Sequence, residues 1–141
     1  MKITLDLNVL LDVAQNRLPH YHTSEEVLHR ARAGEYEAVL PGHAITALHY
    51  ILERWSGSHL ANQTIDGLPA DFVIHSSDKT NFQRARRLPL RDFEDSVVAS
   101  VAEATGSDYI VTRNVPDFAG STVPAMTPTE FLEELAEIEI E

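Results

Sequence analysis

The sequence predicts an α/β fold with a mostly parallel sheet covered by helices on both faces. Short β-prone runs alternate with helical segments along the chain, and this alternation implies right-handed crossovers between parallel strands. The run Tyr109-Ile110-Val111 is continuously apolar, which is typical of a parallel strand buried on both faces. The length of 141 residues is common for one domain, and we expect residues 1–141 to form one.

Five elements are predicted in the first half of the chain. Ile3, Thr4 and Leu5 are β-prone and lead into a helical segment. A second helix has a hydroxyl cap and a glycine stop, and a third, after Pro41, has apolar residues at three- and four-residue spacing. In order, these are a strand over 2–5, a helix over 9–15, a helix from a cap at Thr23 or Ser24 to Gly34, a strand over 36–40 and a helix over 43–55.

The second half continues the alternation. Residues 58–70 are ambiguous and fit a helix that ends at Gly67. Thr127 to Glu130 form a capping box with proline at the first helical position, which predicts an acidic helix at about 128–138. The other predicted elements are a strand over 72–75, helices over 79–88 and 93–105, and a strand over 108–112.

Composition excludes several classes of protein. There are no cysteines, so disulfides, thiolate nucleophiles and cysteine zinc sites are excluded. No apolar stretch is long enough to span a membrane and Asp6 interrupts any signal peptide, so we expect a cytoplasmic protein. The net charge of −11 disfavours binding nucleic acid through a basic surface, although six of the 22 acids lie in the last twelve residues.

Acidic residues stand where a parallel sheet places its ligands. Asp6 directly follows the first strand, Glu94 and Asp95 lie in the first turn of a helix, and Asp117 follows the Tyr109–Val111 strand and its turn. Ligands of such sheets bind beyond the carboxyl ends of the strands. Carboxylates that converge there suit a hard cation such as Mg²⁺. Spacing alone does not establish that they converge.

Each acid also has an ordinary structural interpretation. Asp6 can cap the following helix, Glu94 and Asp95 can favour the positive end of theirs, and Asp117 can be a turn residue before Gly120. On a helical wheel, Glu94 points towards the buried side and Asp95 towards its edge. Because an inward carboxylate needs a partner, this local geometry ranks Glu94 above Asp95.

Three motifs together resemble the PIN domain family and, within it, the toxin branch. They are ITLDLNVLLD at residues 3–12, DFED at 92–95 and DYIVTRNVPDF at 108–118. The segment VPAMTPTEFL at 123–132 is also similar to the family's ending. The motifs occur in the family's order, and the resemblance covers nearly the whole chain.

The resemblance implies a three-layer α/β/α sandwich whose acidic pocket binds Mg²⁺ or Mn²⁺ and cleaves RNA. It also implies a homodimer and a small antitoxin protein as partner. Matched by position, Asp6, Asp95 and Asp117 are the implied metal ligands, with Asn114 as the alternative for the last. Where the helical wheel favours Glu94, the family favours Asp95, and both are kept as catalytic candidates. The implied supporting residues are Asn8, Thr46, His49, Thr112 and Asn114.

The chain departs from the family on the helix after the second strand. The family usually has a glutamate where this sequence has His49. Histidine binds Mn²⁺ but is a poor ligand for Mg²⁺, and it is neutral near pH 7. Glu53, one turn further along, is an alternative source of a carboxylate. The departure leaves two other functions open: a PIN-like module that binds RNA or protein without cutting, and a metal-dependent hydrolase of small phosphate esters.

A basic stretch precedes the acids of the DFED motif. Five positive charges and no acid occur in residues 79–91. These side chains either hold RNA phosphates or form a solvated helix face. The predicted RNA-binding residues, one of them beside Asn114, are Arg84, Arg86, Arg87, Arg91 and Arg113.

Overall fold

The computed structural model describes residues 1–140, which contain five strands and seven α-helices. The order along the chain is β1 (Lys2–Leu5), α1 (Leu7–Ala14), α2 (Tyr21–Arg32), β2 (Glu37–Pro41), α3 (Gly42–Ser56), α4 (Ser58–Asp71), β3 (Val73–His75), α5 (Lys79–Ala85), α6 (Phe93–Thr105), β4 (Tyr109–Val111), a 3₁₀ helix (Val115–Phe118), β5 (Ala125–Met126) and α7 (Pro128–Ile140).

The strands form one parallel sheet in the order β3-β2-β1-β4-β5. The central strand β1 pairs with β2 on one side and with β4 on the other, with Thr4 opposite Val39 and Ile110. The chain therefore reverses its direction of winding at β1. Because all strands are parallel, their carboxyl ends meet at one edge, and the crevice for a ligand opens at such a reversal.

Two apolar clusters lie on opposite faces of this sheet. Val111 belongs to the larger cluster, with residues of α1–α4 and α7, whereas Ile110 belongs to the smaller one, with residues of α6. Side chains of successive strand residues point to opposite faces. The sheet is therefore the middle of three layers, which confirms the predicted α/β/α sandwich with a parallel sheet.

The predicted strands and helices are present, but several helix boundaries differ, most clearly those of α2 and α4. α2 begins at Tyr21 with His20 at its N-cap, so Thr23 and Ser24 are inside the helix and do not cap it. Ser24 is buried and donates a hydrogen bond to Asp12. Within the ambiguous segment, α4 continues through Gly67 to Asp71, because Leu68 is packed in the core and tertiary packing overrides the weak helix propensity of glycine.

Three smaller features also differ from expectation. α5 ends at Ala85, and Leu88, which was predicted to be helical, is packed in the smaller cluster from a loop. The 3₁₀ helix and the two-residue strand β5 were not predicted, since they are too short for a periodic pattern.

The predicted capping box at the start of α7 is confirmed by reciprocal hydrogen bonds of 3.1 Å between Thr127 and Glu130.

Within residues 1–140, none of the helices combines the length and the apolar character that crossing a bilayer requires.

Candidate metal centre

Asp6 lies at the carboxyl end of the central strand. Its backbone N–H donates to the carbonyl of Val111 at 3.0 Å, which joins it to β4. Its Oδ1 accepts a hydrogen bond of 2.8 Å from the Leu7 N–H, so Asp6 is also the N-cap of α1. Only 6% of the residue is exposed. The capping interpretation of Asp6 is therefore confirmed, and the same carboxylate lies at the edge of the sheet where a ligand would bind.

A polar network holds the second oxygen of Asp6. Oδ2 accepts hydrogen bonds from the Thr112 hydroxyl at 2.8 Å and from the Asn8 amide at 3.2 Å. The Thr112 hydroxyl accepts in turn from the backbone N–H of Asn114 at 3.0 Å. Asn8 also accepts from the backbone N–H of Arg113 at 3.3 Å. Asn8 and Thr112, which were predicted as supporting residues, thus orient Asp6 directly.

The first turn of α6 brings three carboxylates together. One oxygen from each of Asp92, Glu94 and Asp95 lies within 4.8 Å of the others. Asp92 is the N-cap of α6, where its Oδ1 accepts from the Asp95 N–H at 3.0 Å. No metal role was predicted for Asp92, although its place at the start of an acidic helix was a usable signal. This close group differs from the predicted ligand set of Asp6, Asp95 and Asp117.

Glu94 is not buried, so the inward orientation inferred from the helical wheel is wrong. Its side chain is 46% exposed, whereas Asp95 is half-buried. The residues from Ser96 to Ala102 of α6 are buried, whereas Phe93 and Glu94 in its first turn are exposed. There Glu94 meets His43 at the start of α3, with Nε2 and Oε1 3.0 Å apart. His43 is a site residue that the sequence did not reveal.

Asp117 belongs to the same acidic region as Asp6 and Asp95. It lies in the 3₁₀ helix after β4, where its backbone N–H donates to the carbonyl of Asn114 at 3.0 Å. Its carboxylate is exposed and lines a cavity together with Asp95. Asp117 is also close enough to Asp6 to raise the pKa of that carboxyl.

Mutual repulsion of these acids shows in their pKa values. Burial raises the pKa of Asp6, and the charges of Glu94 and Asp117 raise it further, against the lowering effect of the Thr112 hydrogen bond. Burial together with the charges of Glu94, Asp6 and Asp92 raises the pKa of Asp95 to about 7. Burial and, after it, the neighbouring negative charges thus disfavour the ionisation of Asp6 and Asp95.

The donor set fits a divalent cation. All of the converging groups are oxygens, which Mg²⁺ and Mn²⁺ accept as ligands. Within residues 1–140, no lysine or arginine forms an ion pair with Asp6, Glu94, Asp95 or Asp117. A bound cation would remove the repulsion that raises the pKa of Asp6 and Asp95.

Replacing Asp95 with asparagine is therefore expected to stabilise the metal-free protein at high pH. Because the pKa of Asp95 rises from 3.8 to about 7 on folding, the folded state loses stability as pH increases through that range. In EDTA, Asp95→Asn should melt at a higher temperature than the wild type at pH 8 and at the same temperature near pH 4. Added Mn²⁺ should stabilise the wild type more than the variant. A variant that melts below the wild type at pH 8 in EDTA would contradict this account.

His49 does not lie among the carboxylates. Its Nε2 is 2.8 Å from Oδ1 of Asn62, so the ring is directed towards α4. Glu53 accepts a hydrogen bond from the hydroxyl of Ser58 at the start of α4. Neither His49 nor Glu53 therefore takes the place of the glutamate that the family usually has. Thr46, predicted as a supporting residue, is exposed and donates to the carbonyl of His43 at 2.8 Å.

The basic stretch divides into paired and unpaired residues. Arg84 forms two hydrogen bonds of 3.0 Å with Glu103 of α6, so its charge is neutralised by an acid 19 residues away. Arg86, Arg87 and Arg91 are exposed, and their side chains form no ion pair within residues 1–140. Of these three arginines, Arg91 lines a cavity together with Asp95 and Asp117.

Arg113 has a structural partner. Its Nε lies 2.8 Å from Oδ2 of Asp12, which is completely buried in α1. The same oxygen accepts a hydrogen bond of 3.1 Å from Ser24 of α2. The pair therefore ties the loop after β4 to two helices. The hydrogen bond between Asp12 and Ser24 was not predicted, because the two residues come into contact only in the folded chain.

Comparisons with known proteins address the family and the fold of the chain. A family model described as a PIN domain matches residues 2–116. A search of curated protein sequences found no significant match. The fold is similar to that of the DNA-bound VapBC structure from Salmonella typhimurium, with 14% identity, 91% of this chain and 98% of the other covered, and a TM-score of 0.70.

Two further solved structures share the fold. VapBC2 from Rickettsia felis, bound to a promoter DNA fragment, has 15% identity, coverage of 90% and 98%, and a TM-score of 0.69. VapC20 from Mycobacterium tuberculosis, described as a toxin that cleaves the sarcin–ricin loop, has 13% identity, coverage of 77% and 86%, and a TM-score of 0.64. The family model covers most of the sequence, and the chain therefore belongs to the PIN domain family.

Proposed function

We propose that the chain is a divalent-metal-dependent endoribonuclease and the toxin of a type II toxin–antitoxin system. Two observations support this proposal: Asp92, Glu94 and Asp95 form a close acidic group, and the charges of Glu94 and Asp117 raise the pKa of the buried Asp6 at the carboxyl end of β1. Membership of the PIN domain family supports it. The solved toxin structures of the same fold support the narrower assignment.

In this proposal Asp6, Asp95 and Asp117 hold one or two ions of Mg²⁺ or Mn²⁺, with Glu94 and Asn114 as further oxygen donors. When bound, such ions neutralise the phosphate charge and make a bound water more acidic. The protein's own contribution is orientation. The Thr112 and Asn8 hydrogen bonds fix Oδ2 of Asp6, and the Leu7 N–H fixes Oδ1.

The reaction is hydrolysis of an RNA phosphodiester. Water attacks the phosphorus in line with the leaving 3′ oxygen, the bond between phosphorus and that oxygen breaks, and a proton reaches the oxygen from water. The products are a 3′-hydroxyl and a 5′-phosphate. Preorganised carboxylates suit this chemistry, because they need no rearrangement as charge develops on the phosphate.

Arg91, which lines a cavity together with Asp95 and Asp117, is the arginine best placed to hold an RNA phosphate. Arg86 and Arg87 belong to the predicted RNA-binding set and are exposed without an ion pair within residues 1–140. Arg84 and Arg113 belong to the same set, but their ion pairs with Glu103 and Asp12 give them another role in the folded protein. Because the chain has 22 acids and 11 basic residues, RNA is expected to bind at this region and not over the whole molecule.

A small antitoxin is the proposed protein partner. An amphipathic segment that places an arginine or lysine among the carboxylates would compensate their charge as a metal ion does. A homodimer is proposed on the family resemblance alone, and sedimentation at several protein concentrations would test it.

The chemistry of the products tests the proposal. RNA cut by the purified protein should carry 5′-phosphates, which make the fragments sensitive to an exonuclease that requires that group. Cyclic-phosphate ends would indicate attack by the ribose hydroxyl and would refute the proposed hydrolysis. Tight RNA binding without cutting in Mn²⁺ would support the non-cleaving module, and release of phosphate from small esters would support the third function.

Expression in a bacterial host tests the toxin assignment. The chain should arrest growth, and co-expression of the neighbouring open reading frame should relieve the arrest. The Asp6→Asn variant is the matched control, because asparagine also caps helices. Equal growth of cells that express the wild type and the variant, at equal protein levels, would count against the toxin assignment.

A further inference from the structure

A cavity of about 480 Å³ adjoins the acidic centre. Asp92, Asp95 and Asp117 form one part of its lining, and the apolar residues Pro89, Pro116 and Ala119 form another. The volume lies in the range of about 300–1,000 Å³ that small-molecule pockets usually occupy. The cavity therefore shares three carboxylates with the candidate metal centre and extends from them along an apolar wall.

The apolar wall of this cavity is anchored to the core. Gly120 has a φ of +95°, and a Cβ at this position would lie only 2.9 Å from Cγ of Pro89. The two loops therefore touch where glycine alone fits without strain. Leu88 directly precedes Pro89, and Phe118 follows Pro116 by two positions. Both are buried in the smaller apolar cluster. The wall is a fixed surface.

Arg91 adds a positive charge to the cavity lining. Its side chain is exposed and forms neither an ion pair nor a hydrogen bond within residues 1–140. A free guanidinium suits a phosphate, with which it can form two parallel hydrogen bonds. With the cations of the proposed function on the three carboxylates, the charge that Arg91 adds to the lining favours a phosphate group.

We propose that this cavity binds an unpaired nucleotide next to the scissile phosphate of RNA. Its base packs against Pro89 and Pro116, and Arg91 contacts a neighbouring phosphate. The inference rests on the proposed function, because a phosphate at Asp95 and Asp117 places the adjoining ribose and base within reach of the cavity. A base held in a duplex is already paired and stacked and cannot enter. The cavity therefore selects single-stranded or flipped-out positions.

Filling the cavity tests the proposal. Ala119 is exposed, and Ala119→Leu adds an apolar side chain to the lining without disturbing the core. Ala136→Leu on the exposed side of α7 is the matched control. Both are made in the Asp6→Asn protein, and binding of a fluorescent nine-nucleotide single-stranded RNA is followed by anisotropy with Mg²⁺ present. The same measurement is made with a control strand of equal length that consists of ribose phosphates without bases.

Ala119→Leu should weaken binding of the normal strand by about fivefold or more, because the base can no longer pack in the cavity. Removal of one stacking contact has an effect of this size. The Ala136→Leu control and the strand without bases should show no such change. Equal binding of the normal strand by both leucine variants would overturn the proposal. So would an equal loss on the strand without bases, or a loss that affects only a basic antitoxin peptide.

Arg91→Gln provides a second test. The slope of log Kd against log salt concentration should fall by about 1, since one phosphate contact is removed. Arg54→Gln is the control, because Arg54 lies over the ring of Trp55. An unchanged slope in Arg91→Gln would contradict the phosphate contact. These binding measurements need no cleavage, so failure of the ribonuclease proposal would appear separately, as wild-type protein that binds RNA but does not cut it.

Discussion

Replacing Asp6 with asparagine is expected to reduce RNA cleavage about 1,000-fold. Removal of a ligand charge from a metal centre forfeits several kcal/mol of transition-state stabilisation, and about 4 kcal/mol corresponds to this factor. Asparagine has the same shape and can still accept from the Leu7 N–H as the N-cap of α1. The loss should therefore occur in a folded protein. Initial rates of cleavage, with melting temperatures measured in parallel, test this expectation.

The control for this prediction is Asp66→Asn on α4. Asp66 is exposed, and its removal changes the net charge by the same amount. Its cleavage rate should match that of the wild type. If Asp6→Asn retains full activity, Asp6 is not part of the catalytic centre. If Asp6→Asn unfolds, the asparagine cap has failed, and Asp6→Ser would supply a capping hydroxyl instead.

Replacing Arg113 with alanine is expected to lower the free energy of unfolding by about 3 kcal/mol. Asp12 is completely buried, and removal of its cationic partner leaves an uncompensated charge. Breaking a buried pair costs about 3–5 kcal/mol, and the lower value applies because 24% of the Arg113 side chain is exposed. For a chain of this length the melting temperature should fall by about 10 °C.

The contrast with Arg86 separates a structural role from RNA binding. Arg86 is exposed and forms no ion pair within the described residues, so Arg86→Ala should leave stability unchanged. The double variant Asp12→Leu/Arg113→Ala should recover much of the stability lost in Arg113→Ala, since it removes the buried charge as well. Urea unfolding measures all three. An Arg113→Ala protein as stable as the wild type would assign Arg113 to the RNA surface.

The order of elements follows from local sequence, and so does the position of Asp6 at the end of β1. Strand β1 ends at Asp6 in the chain itself, and a parallel sheet must bring the ends of β1 and β4 to one edge. The positions of Asp6, Thr112 and Asp117 were therefore predictable together. Helix ends were less so, because α4 continues through Gly67 once Leu68 is packed in the core.

Contacts between distant segments were not predictable. Glu94 points inward on a helical wheel, but a wheel contains no information about where the sheet ends, and the side chain meets His43 in the crevice. The basic stretch looked uniform, yet Arg84 is paired with Glu103. His49 was placed at the centre by its position in the family pattern, whereas the structure directs it to Asn62. Each case depends on the three-dimensional arrangement of separate helices.

The most direct test of the proposed function is cleavage of a mixed pool of structured RNA by the purified wild-type protein, free of antitoxin, with Mg²⁺, with Mn²⁺ and with EDTA. We predict fragments with at least one of the two ions, none with EDTA, and recovery when the ion is restored. No fragments under any condition from a folded protein, or cutting that persists in EDTA, would contradict a divalent-metal ribonuclease built on Asp6, Asp95 and Asp117.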